Sequence, residues 1–62
     1  MNALEILIKE ADDKVSQLKD YLAEGKANSY EEYQRLCGEI RGLLTMRGRT
    51  LDLKDHLERT DE

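Results

Sequence analysis

Sixty-two residues with no tryptophan or phenylalanine make at most one small domain, too short to bury a comfortable core alone. The lone Cys37 excludes an intrachain disulfide, and Cys37 with His56 falls far short of a four-ligand zinc set, which leaves association as the expected source of stability. Fourteen acidic against ten basic residues give a net charge of −4, which disfavours general affinity for nucleic acid or anionic lipid; without a long apolar run or a signal-like segment, the expectation is an intracellular soluble protein, neither secreted nor membrane-spanning.

In chain order, residues 2–24 read as a first helix. Leu4, Ile8, Ala11, Val15, Leu18 and Leu22 recur at alternating spacings of four and three, a heptad seam made to lie against another helix. Ala3, Leu7 and Tyr21 run along its flank and are more apolar surface than one seam uses. Residues 25–28 read as a turn: Gly25 suits the left-handed position that ends a helix, and Ser29 with Glu32 has the spacing of a capping box. A second helix is predicted over 29–59. With a connection this short the helices run antiparallel, so the fold class is an all-α two-helix hairpin. At about 1.5 Å per residue the helices measure roughly 34 and 46 Å, which predicts that Lys54 to Glu62 overhang the first helix.

In the second helix, Tyr33, Leu36, Cys37, Ile40, Leu43, Leu44 and Leu51 form the stripe expected to complete the intrachain seam. Arg47 falls inside it, its stem packed and its head within reach of water or Glu5. Met46, Leu53 and Leu57 form a second set adjoining Gly38 and Gly42. A glycine inside a helix costs about 1 kcal/mol against alanine, so two of them four apart point to a strip that another chain approaches closely. Gly38, Gly42, Met46, Leu53 and Leu57, together with Leu7 and Tyr21, are therefore the expected partner interface. The excess apolar surface predicts a multi-chain helical bundle or a hairpin laid on a larger protein.

Chemistry has little to work with. Asp55 and His56 are neighbours on a helix and point about 100° apart, with no nucleophile beside them. Asp12 with Asp13, and Glu31 with Glu32, splay for the same reason and cannot converge on a substrate. Cys37 reads as a small buried hydrophobe. No enzymatic activity, cofactor or metal is expected. Arg35, Arg41, Arg47, Arg49 and Lys54 spread around the helix axis and form no single stripe, so nucleic-acid contact through Arg41, Arg47 and Arg49 is a second reading.

The stretch from Tyr33 to Leu44 includes Leu36, Cys37, Gly38, Ile40, Gly42 and Leu43 in the pattern Y-x-x-L-C-G-x-I-x-G-L. It resembles a signature of small helical proteins of tailed bacteriophages, and the preceding L-A-x-G-x-A-x-S-Y-E-E-Y extends the likeness to about a third of the chain. The resemblance implies a phage origin, and so a place in the virion or the host cytoplasm; it makes Gly38 and Gly42 motif residues and suggests a structural, virion-associated role on a larger phage protein. With the small size and net negative charge, a phage origin also gives a third reading, an acidic inhibitor of a host protein. In architecture alone the hairpin is also similar to the Rop family of plasmid copy-number regulators, which implies a dimeric four-helix bundle that binds RNA.

Overall fold

The structure, a computed structural model, describes residues 2–60. Two helices, α1 (Ala3–Ala23) and α2 (Tyr30–Thr60), pack side by side into a hairpin measuring 51 × 18 × 12 Å. Both boundaries lie within a residue of those expected from the sequence. The chain is all-α, and its helices touch along their length.

Each end of α1 is closed by a local device. Asn2 caps α1: its backbone is extended and its Oδ1 accepts the Glu5 N–H at 2.9 Å. At the other end the Gly25 N–H donates to the Leu22 carbonyl at 3.0 Å and the Lys26 N–H to the Tyr21 carbonyl at 3.3 Å. This paired arrangement is a Schellman motif, and Gly25 takes the left-handed φ of +73° that it demands. Ser29 then caps α2 as expected, its Oγ accepting the Glu32 N–H at 3.0 Å.

Glu32 departs from the reciprocal capping box. Its carboxylate accepts the Asn28 N–H at 3.2 Å and the Tyr21 hydroxyl at 3.0 Å, so one side chain ties the turn and α1 to the start of α2. The Tyr21 hydroxyl is held above the usual tyrosine range, first by that hydrogen bond, then by desolvation and by the Glu32 charge.

Among the described residues Val15, Leu18 and Leu36 are the buried apolar ones. Leu4, Ile8, Ala11 and Leu22 continue the seam of α1 in half-buried positions, as the heptad predicts. In α2 the stripe needs correction. Tyr33, Leu44 and Leu51 are 47%, 45% and 39% exposed, and Cys37 is only half-buried. The inward row is instead Leu36, Ile40, Leu43, Arg47, Thr50 and Lys54, again at alternating spacings of four and three. A heptad seam on α1 needs a heptad seam opposite, and the row through Leu36 keeps facing it even where its members turn polar. The leucines at 44 and 51 lie roughly 60–80° around the axis from Leu36 and fall on a flank.

Polar members of this row are accommodated one by one. Arg47, expected to reach water or Glu5, forms an ion pair with Asp12, its Nη2 3.4 Å from Asp12 Oδ2. The Thr50 hydroxyl donates to the Met46 carbonyl at 2.8 Å. The Lys54 ammonium bonds Glu58 at 2.7 Å. The expected overhang is also shorter: Lys54, Leu57 and Glu58 line a groove with Asn2, Ala3 and Leu4. Asp61 and Glu62 lie outside the described residues.

Candidate interaction surfaces

Few apolar side chains of this hairpin are fully enclosed, and many large ones are exposed. Among the described residues three apolar side chains are buried, whereas Ile6, Leu7, Tyr30, Tyr33, Leu44, Met46, Leu51, Leu53 and Leu57 are exposed. Scattered exposed leucines are ordinary; rows of them are not. All but Ile6 and Leu7 belong to α2, where they sort onto the two flanks of the inward row.

The first flank belongs to both helices. Leu7 of α1 and Met46 of α2, 52% and 60% exposed, line one groove of about 320 Å³ together with Ala11, Leu43 and Thr50. Leu53 lies one heptad beyond Met46 on the same flank, and Leu57 with Ala3 lines the adjoining groove toward the open end of the hairpin. Of the residues expected at a partner interface, Leu7, Met46 and Leu57 thus border continuous grooves. Tyr21 lies at the turn end, half-buried and engaged with Glu32. Gly38 and Gly42 line neither groove: they sit on the outer side of α2, where a Cβ would meet nothing within 4 Å. Gly42 adjoins the first flank.

The second flank is built by α2 alone. Tyr30, Cys37, Leu44 and Leu51 recur every seven residues, and Tyr33 stacks on Tyr30 with ring centroids 6.3 Å apart at 22°. Gln34 Nε2 donates to the Tyr30 hydroxyl at 2.6 Å. The Tyr33 hydroxyl is pushed above its usual range, first by hydrogen bonding with Cys37. Opposite, α1 offers Glu5, Asp12 and Lys19, so this band is apolar on one helix only. Sequence reasoning assigned most of these residues to the interior because it weighed apolarity over register.

The arginines do not gather. Arg47 turns to Asp12, while Arg41 and Arg49 are exposed on other faces of α2. Among the described residues no group of three or more His, Cys, Asp or Glu could hold a metal ion. No described helix is long and apolar enough to cross a membrane. Comparison of the chain with protein-family models, with curated proteins and with solved structures finds no match.

Proposed function

We propose that this chain is a non-enzymatic helical interaction module, a hairpin whose exposed flanks pack on another polypeptide. One observation carries the reading: nine large apolar side chains are exposed among the described residues, and many of them stand in rows at heptad spacing on the flanks of α2. A surface of that kind gains free energy only when a second helix covers it. The likeness of residues 33–44 to small helical proteins of tailed phages supports a more specific setting, a virion-associated structural component, which mass spectrometry of purified particles would test directly.

Two single substitutions test the module. Leu44→Asp charges the flank built by α2, and Met46→Asp charges the flank shared by both helices; the side chains are 45% and 60% exposed and lie outside the inward row, so the hairpin keeps its helicity. Immobilised wild-type chain is expected to hold a partner, either itself or a protein of the producing cell, that at least one variant releases. A wild type that stays monomeric at every concentration and holds nothing the variants fail to hold refutes the proposal.

A further inference from the structure

We infer that the band presented by α2 alone, around Leu44 and Leu51, is covered by a second copy of this chain, related by a two-fold axis perpendicular to the hairpin and level with the Asp12–Arg47 pair. This rests on the interaction-module reading and names the occupant of one of its surfaces.

A two-fold interface is isologous, so the groups that meet across it must be arranged about one common centre. With the axis perpendicular to the hairpin, α2 lies antiparallel on the α2 of the other copy, and α1 on its α1. Along α2, Leu44 and Leu51 meet each other twice when the axis passes midway, between Arg47 and Gly48. Beside that row runs the heptad line of Arg41, Gly48 and Asp55, with opposite charges at equal distances from Gly48. Along α1 the same face carries Glu5, Asp12 and Lys19, with opposite charges at equal distances from Asp12.

The register of the hairpin brings these centres together. Asp12 pairs with Arg47, and one heptad toward the open end Glu5 acts on Lys54, its charge adding to that of Glu58 in holding the ammonium proton. Both pairs give one register, with Asp12 level with Arg47. The three centres, at Asp12, between Arg47 and Gly48, and at Gly48, therefore fall within one residue of each other, about 1.5 Å of height. An unrelated partner requires no such coincidence. A second copy requires it, and the charges select the occupant on that ground.

The groups at the axis fit their place. Each Asp12–Arg47 pair lies beside its copy, four charges alternating in sign. Gly48 has ordinary helical backbone and nothing within 4 Å of its Cβ position, so the two α2 backbones can approach closely there. The other face-to-face symmetry, a two-fold along the hairpin, keeps every residue at its own height and lays Glu5, Asp12 and Lys19 of one copy along the Leu44 and Leu51 row of the other. Those charges would exchange water for apolar neighbours, a costly burial. The perpendicular axis keeps apolar surface on apolar surface and gives Glu5 and Lys19 each other.

The test uses the full chain. In sedimentation equilibrium the wild type is expected to be a concentration-dependent dimer, and Leu44→Asp a monomer of unchanged helicity. Arg41→Glu and Asp55→Lys each weaken the dimer about tenfold, and the double variant restores it. Symmetry is read by mixing two single-cysteine chains, both carrying Cys37→Ser: a Glu5→Cys copy should form a disulfide with a Lys19→Cys copy in preference to itself. A wild type that is monomeric yet holds another protein in a Leu44-dependent way overturns the inference and leaves the module standing. A monomer that holds nothing removes both. A dimer that survives Leu44→Asp, that the double variant fails to restore, or that links Glu5→Cys preferentially to itself, overturns the inference alone.

Discussion

Replacing the three glycines inside α2 separates what the hairpin needs from what its partner needs. Gly38, Gly42 and Gly48 all lie within Tyr30–Thr60 and none has a positive φ, so each sits in ordinary helical backbone. A Cβ at any of them would meet nothing within 4 Å. With neither backbone strain nor a clash to offset it, the helix-propensity gain of Gly→Ala should appear almost whole, about 1 kcal/mol per site and about 2–3 kcal/mol for the triple variant. For a chain this small 1 kcal/mol moves the melting temperature by about 4–8 °C. The assay is thermal unfolding followed by circular dichroism at low micromolar concentration, where association contributes least. Each alanine should raise the midpoint. Gly48→Leu should keep the helix but weaken assembly in sedimentation, because its side chain grows beside the two-fold axis, whereas Gly38→Leu should leave assembly intact. If any single alanine lowers the midpoint of the dilute chain, the space around that glycine is not open and the reasoning fails.

Thr50→Leu should stabilise the hairpin by about 1 kcal/mol, since it adds apolar surface to a groove lined by Leu7, Ala11 and Leu43 while the lost hydroxyl served only the Met46 carbonyl of its own helix; the urea midpoint reads it. A double-mutant cycle on Asp12 and Arg47 should return at most about 1 kcal/mol, because the two side chains are half and one-third exposed and the pair is screened by water and salt. Helicity should decline above about pH 10. Tyr21, Tyr33 and Lys54 all have raised proton affinity in the folded chain, so the stabilisation they give is whole below their ordinary values and is lost as pH rises through the folded ones; Tyr21→Phe should flatten the Tyr21 part of that decline in a titration followed by circular dichroism and tyrosine absorbance.

How far the sequence could be read depended on whether local signals and register agreed. Where Gly25 and Ser29 punctuate the chain they agree, because a left-handed position and a cap are set by the residue that occupies them. The seam of α1 was legible for the same reason: one heptad, one face. In α2 two rows compete, 36-40-43-47-50-54 and 37-44-51, and apolarity alone favours leucines over Arg47, Thr50 and Lys54. The structure follows the row in register with α1, and Asp12 supplies the acidic partner that lets an arginine sit there. Nothing local to α2 announces that choice. Asn2, by contrast, stands three residues before Glu5 in the spacing of a capping box, so that cap was available to the reading and was passed over. The expected interface was likewise legible as a list of apolar residues but not as a place, since only the packing of α1 shows that Leu7 and Met46 share a groove while Gly38 lies behind.

The Glu32 node also sets an order of events. It joins residues eleven apart in the chain, Tyr21 and Glu32, through a turn already capped at both ends, so closing the loop there has a small entropic cost. Chain collapse would therefore begin at the turn and zip toward the termini, passing first through Leu18, Leu36 and Val15 and reaching the polar pairs last. Unzipping runs the other way. Amide hydrogens near Leu18 and Leu36 should be the slowest to exchange, and those around Lys54 among the fastest. The end that opens first is the end where Ala3 and Leu57 line their groove, so whatever covers that groove would act as a clasp on an otherwise fraying zipper.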